Sequence, residues 1–182
     1  MSENPLQALE LVSFWREAGE QRWFAKDDVF DAAFRERFAA QHEAAARGEL
    51  SQWAAVPLGA LALVLLLDQY PRNSFRDSQR MYATDALARE FARAAIAAGH
   101  DQAIEPRLRP FFYLPFGHSE DPADQDYSVS LFARLGGEGV KHAEGHRDII
   151  RRFGRFPHRN SILGRVTTPE EQEYLDGGGF KG

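Results

Sequence analysis

"PLGALALVLLLDQYPRN", Pro57–Asn73, is the stretch on which the fold turns. From Leu58 to Leu67 no polar side chain interrupts the run, and polar and apolar residues do not alternate. With Pro57 placed to open a helix, the run reads as a helix that is apolar nearly all round, and such a helix lies at the centre of a domain. It is far short of the roughly 20 residues needed to cross a bilayer. Pro71 is expected to end it, because the residue before a proline is pushed out of the α region. Asp68 would then sit at the mouth of a buried element.

The segments on either side carry helix punctuation. Pro5 and Gly19 bracket a first helix, and Asp27 or Asp28 caps a second that runs to Gly48. In that second helix Phe30, Phe34 and Phe38 repeat at i, i+4, i+8, the spacing of one buried stripe. An alanine-rich helix is predicted from Asp77 or Ser78 to Ala98, with Met81, Leu87, Phe91 and Ile96 among its apolar positions. "RLRPFFYLPFGHSE" is broken by Pro110 and Pro115 and reads as short helical or irregular structure. Helices are predicted over 121–135 and 140–153, stopped by "GGEG" and Gly154. Thr168, Pro169 and Glu171 form a capping box that opens a last one, ended by "GGG". The expectation is an all-α chain, one domain over residues 1–182 with about seven helices in antiparallel pairs. Leu61, Val64, Leu65, Phe34 and Phe91 are predicted to be buried.

Composition excludes several functions. The 182 residues contain no cysteine, which removes disulfides, thiolate metal sites and cysteine nucleophiles. A net charge of −5 argues against general binding of nucleic acid, which depends on neutralising phosphates. The start "MSENPLQALELV" lacks the basic and apolar regions of a secretory leader, so a cytoplasmic location is expected, with no membrane partner.

Three short motifs imitate known sites. "GHSED", Gly117–Asp121, is half of a nucleophile elbow, but the second glycine and the strand-turn-helix context are missing. "HAEGH", His142–His146, places two histidines on one helical face, with Glu144 in the wrong position for a zinc protease and no further ligands in view. "GGEGVK" lacks the spacing of a phosphate loop. Neither a metal nor a cofactor is expected.

Polar residues concentrate instead in "LDQYPRN" (Leu67–Asn73), "LPFGHSE" (Leu114–Glu120) and "HRDIIRRFGRFPHRNSILGR" (His146–Arg165). Two readings stay open. In one, Asp68, Glu120 and Asp148 pair with Arg72, Arg152, Arg155 and Arg159 to lock helix ends together, since the arginine fork suits carboxylates. In the other, bases outnumber the two acids Glu144 and Asp148 between Lys141 and Arg165, and the surplus forms a pocket for a phosphate or carboxylate. His118 or His158 would then titrate near neutral pH.

These segments, with "FW" at Phe14–Trp15 and "WF" at Trp23–Phe24, resemble the bacterial family known as domain of unknown function 924. The resemblance runs in order over nearly the whole chain. It implies an all-helical fold of stacked hairpins like that of tetratricopeptide repeats, and it implies no activity. Its motif positions here are Asp68, Gln69, Pro71, Arg72 and Asn73, then Pro115, His118 and Glu120. His146, Arg152, Gly154, Arg155, Pro157, Arg159, Asn160, Gly164 and Arg165 complete them. A shared polar site would take Arg72, Asn73, His146, Arg152, Arg155, His158, Arg159, Asn160 and Arg165 as ligand-binding residues. If it is catalytic, His118 and Glu120 are the acid/base candidates and Asp68 orients a histidine. The alternative function is a helical scaffold that binds a peptide or partner protein.

Overall fold

A computed structural model describes residues 5–182, and every regular element among them is helical. The start read as leader-free falls in part, at residues 1–4, outside the described residues. The α-helices are α1 (Leu6–Ala18), α2 (Glu20–Trp23), α3 (Asp28–Ala46), α4 (Pro57–Val64), α5 (Tyr70–Ser74) and α6 (Asp85–Ala97). They are followed by α7 (Leu114–Gly117), α8 (Pro122–Leu135), α9 (Gly139–Phe153) and α10 (Pro169–Asp176), with 3-10 turns in several of the connections. The chain divides into two units, residues 5–76 with 80–115, and residues 77–79 with 116–182.

In the first unit the central helix forms as its composition requires, with every residue from Gly59 to Pro71 buried. Phe30, Phe34 and Phe38 face inward around Phe14, whose ring lies 5.3, 5.7 and 5.3 Å from theirs, stacked on the first two and edge-on to the third. Pro71 does not end the helix, contrary to expectation. Residues Leu65–Gln69 form a π turn that joins α4 to α5. The Tyr70 N–H bonds to the carbonyl of Leu65, five residues earlier, so the extra residue is absorbed before the proline arrives. Proline cannot donate to Leu67, but that oxygen accepts from the Thr84 hydroxyl at 2.6 Å. Leu66 O takes Nδ1–H of His42 at 2.8 Å, and Asp68 O takes Nη1 of Arg72 at 2.8 Å.

Asp68 is consequently not at a helix mouth but fully buried within the continuous helix. Its carboxylate lies 3.3 Å from Arg72 and accepts from Gln69 Nε2 at 2.7 Å, while Arg72 also grips Asp85 at 2.8 Å. Burial alone would depress the Arg72 pKa, but Asp68 and Asp85 outweigh it and the guanidinium stays charged above its ordinary range. Helix α6 starts later than its sequence suggests. Residues Gln79–Tyr82 make a 3-10 turn, and the Thr84 side chain is committed to Leu67 rather than to a cap. Its buried face is Ala88, Ala92 and Ala95 against α4, so Phe91 is left only partly buried at the edge of that close alanine contact.

The second unit is built on α8 and α9, which pack together across a connection of residues 136–138. Asp121 caps α8 by accepting from Ala123 N at 2.7 Å. Leu131, Phe132, Ile149, Ile150 and Phe156 are among its buried apolar side chains.

Replacing Arg72 with methionine keeps the volume and removes the guanidinium that both buried carboxylates share. Such a change is expected to cost about 3–5 kcal/mol. Urea denaturation should show it as a lower midpoint, and an unchanged midpoint would mean that the Asp68 charge is relieved in another way.

Candidate functional site

The arginine-rich segment belongs to the second unit. Gly154 takes the left-handed conformation, φ 70°, that closes α9, and its N–H bonds to Ile150 O. The chain turns there, buries Phe156 against Ile149 and Ile150, and makes a 3-10 turn at Pro157–Arg159.

Two carboxylates organise the chain beyond Gly154. Glu171 accepts from Arg155 Nε and Nη2 at 2.6 and 2.8 Å, from Thr168 N at 2.8 Å and from Asn160 Nδ2 at 3.1 Å. Glu120 receives Arg165 through both oxygens at 2.7 and 3.0 Å, and the Phe156 N–H at 2.8 Å. Arg165 Nε also reaches Asn160 Oδ1 at 2.9 Å, so the two clusters share the fully buried Asn160. The hydrogen bonds from Arg155 hold the Glu171 carboxyl down to about 2 against the opposing effect of burial. Burial pushes Glu120 up, but Arg165 and the Phe156 N–H more than reverse it. Glu120 therefore stays ionised, which suits an anchor better than a proton donor.

The excess of bases between Lys141 and Arg165 is met by acids outside that window. Lys141 pairs with Glu138, Arg151 with Asp126, Arg152 with Glu170, Arg155 with Glu171 and Arg165 with Glu120. The Arg155 and Arg165 guanidiniums are thus taken up internally. Arg159 is 7% exposed and donates Nη2 to the carbonyl of His118 at 2.8 Å. Asp68, Arg72 and Asn73 belong to the first unit, where Asn73 Nδ2 donates to Asp31 at 2.6 Å.

Beside the cluster lies a cleft of about 390 Å³, lined by Lys141, His142, Gly145, His146, Asp148, Ile149, Arg152, Phe153, Tyr174 and Phe180. Of the ligand-binding residues expected from sequence, His146 and Arg152 line it. Its α9 wall consists of three adjacent i, i+4 stripes, Lys141–Gly145–Ile149–Phe153, His142–His146 and Asp148–Arg152, a pattern present in the sequence but masked there by the more conspicuous histidine pair. Tyr174 and Phe180 do not emerge from the sequence at all, since no local motif marks them.

His146 is the perturbed group. Burial lowers its pKa to about 4, the nearby His118, Arg159 and His142 act in the same direction, and a hydrogen bond to the Gly117 backbone only partly offsets them. The imidazole is neutral at pH 7. His142, one turn earlier, is exposed. Among the described residues no three His, Cys, Asp or Glu side chains are grouped to hold a metal. The Ser119 turn joins α7 to α8, and its Oγ accepts from Asp121 N at 3.2 Å, a helix-entry contact with no strand before it.

The Glu171 pKa, below an unfolded value near 4.3, contributes stability that is present above about pH 4.3 and lost as pH falls toward 2. Glu171→Gln should lower stability at pH 7 by about 1–3 kcal/mol. It should also flatten the acid side of the urea-midpoint profile. A variant as acid-labile as the wild type would exclude this carboxylate as the anchor.

Comparison with other proteins supports the assignment made from the motifs. No curated protein matches the chain. A solved structure, that of the protein of unknown function ATU0120 from Agrobacterium tumefaciens, is 55% identical and superposes with a TM-score of 0.94. That alignment covers 96% of this chain and 99% of the other. Residues 11–179 match the bacterial proteins of unknown function DUF924, and the chain belongs to that family.

Proposed function

We propose that the protein binds a small anionic molecule, bearing a phosphate or carboxylate, in the cleft of the second unit. The observation that carries this reading is the composition of the cleft wall. Lys141, Arg152 and two histidines face a single carboxylate, Asp148, beside the aromatic surfaces of Phe153, Tyr174 and Phe180. The Lys141–Glu138 and Arg152–Glu170 pairs are more than half exposed at both partners. Exposed pairs are worth about 0–1 kcal/mol, so a phosphate competes with Glu138 and Glu170 on favourable terms. Arg155, Asn160 and Arg165 hold the segment below the cleft, and Arg159 and His118 set the electrostatics of His146. Should the site be catalytic, neutral His146 is the proton acceptor within the cleft, with His118 its neighbour.

A second reading is a scaffold of stacked helix hairpins, in the manner of tetratricopeptide repeats, that binds a peptide or partner protein. It draws on the α8–α9 pair and on the large apolar side chains Leu6, Phe24 and Val29, each more than 60% exposed.

Thermal denaturation in the presence of inorganic phosphate tests the first reading. A ligand at one hundred times its dissociation constant adds about 2.7 kcal/mol, a clear rise in Tm. The Lys141→Ala/Arg152→Ala double variant should fold normally and lose that rise. Arg155→Ala should lower Tm but keep it. No rise in the wild type, across phosphates and carboxylates, would leave the scaffold as the better account.

A further inference from the structure

The aromatic end of the cleft is closed by a side chain that does not belong to the core. The Phe180 ring lies 4.7 Å from that of His146, 5.1 Å from His158 and 6.4 Å from Phe156. Phe156 itself touches both histidine rings, at 5.6 and 5.5 Å. Three rings therefore form a box around a fourth. Phe34, Phe38, Phe112 and Phe116 in the interior are all at 0% exposure, whereas Phe180 is at 37%. It occupies the box without being sealed in it.

The segment that delivers Phe180 is hydrogen-bonded to α10: the Gly177, Gly178 and Gly179 N–H groups donate to Glu173, Leu175 and Tyr174 O. Phe180 follows Gly177, Gly178 and Gly179, of which Gly178 has φ 84°, and glycine loses more conformational entropy on ordering than any other residue. Phe180 N donates to the Tyr174 hydroxyl at 2.9 Å on the exposed side. The ring itself is held in the box by its contacts with His146, Phe156 and His158, which another ring could make in its place.

The cations of the cleft stand at a matching distance. His146 and Arg152 are six residues apart on α9, and His146 and Lys141 five. At 1.5 Å per residue these separations are about 9 and 7.5 Å along the helix axis. The two cations lie on opposite sides of His146 along the axis, so a ring at His146 with an anionic group a few bonds away is directed toward one or the other.

We propose that Phe180 stands in for a ligand: the box of His146, Phe156 and His158 takes a planar aromatic ring, and a cation of the α9 wall, Lys141 or Arg152, takes the anionic group attached to it. The ligand class of the cleft is thereby narrowed to aromatic anions, and the segment from Gly177 onward is a plug that such a ligand displaces. This rests on the anion reading of the same cleft. The neutral state of His146 supports it, since an uncharged imidazole stacks on a ring without the cost of desolvating a cation.

Calorimetric titration with phenyl phosphate and with inorganic phosphate at pH 7 separates the two claims. It uses the wild type, Phe180→Ala and a chain ending at Gly177. Phenyl phosphate should bind both altered forms at least about tenfold more tightly than the wild type, because the competing ring is gone, whereas inorganic phosphate should bind all three alike. If phenyl phosphate gains nothing from either change while inorganic phosphate still binds, the box is not a ring site and the anion reading stands alone. If neither probe binds any form, both claims fall. Unfolding of Phe180→Ala would show that the ring is core, and would also overturn the inference.

Discussion

Proline at position 71 removes one backbone donor from the middle of a buried helix, and the first unit is arranged around that loss. A carbonyl left without a partner in the interior costs about as much as a lost hydrogen bond, roughly 1–3 kcal/mol. The π turn at Leu65–Gln69 widens the helix so that the chain passes Pro71 without a clash, but it also loosens several carbonyls at once. Side chains from three places meet the need: His42 from α3, Thr84 from the turn before α6, and Arg72 from one turn along the same helix. Arg72 then requires anions of its own, which Asp68 and Asp85 supply. Within "LDQYPRN", the Asp68–Arg72 pair is thus tied to one missing N–H.

The second unit answers a comparable need at Glu171 and Glu120. Each is a carboxylate withdrawn from much of its water and must collect donors. Glu171 draws on Arg155, Asn160 and the Thr168 backbone, and Glu120 on Arg165 and the Phe156 backbone. The chain from Arg155 to Glu171 is pinned by these bonds into one shape. Lys141 and Arg152 have exposed, weak carboxylate partners in a cleft rimmed by rings, two of which, Phe153 and Tyr174, lie under the Arg152 guanidinium. Strong pairing is concentrated below the cleft, and the exchangeable charge is at its surface.

Much of this was legible in the sequence, and the reasons divide cleanly. The all-helical class, the Phe30–Phe34–Phe38 stripe and the Thr168–Glu171 capping box follow from spacing alone, because period and caps are local properties. The passage of the helix through Pro71 was not legible. It depends on Thr84 and His42, which are far along the chain from Leu67 and Leu66. The partners of the arginines between Lys141 and Arg165 were legible only in part: Glu120 is a candidate from sequence, whereas Asp126 and Glu171 lie outside the window in which the bases are counted. The histidine pair at 142 and 146 was visible at once, but Phe180 was not, since a lone aromatic after a run of glycines carries no periodic signal.

His146 stands where the buried pairing and the exchangeable charge meet. Its own charge is opposed both by burial and by cationic neighbours, so in the absence of ligand its folded pKa lies below an unfolded value near 6.5. The fold consequently loses stability as pH falls from about 6.5 toward 4, because the unfolded chain takes up that proton first. A bound anion would change one of the two opposing effects and not the other. It would cancel the field of Arg159 and the neighbouring histidines, while burial would remain or increase as a ring covered the imidazole. The two halves of an aromatic anion therefore act on His146 in opposite senses, the charge favouring its proton and the ring disfavouring it. A residue placed between such effects can report which part of a ligand is seated, and linkage requires that its protonation bias binding of the charged part in return.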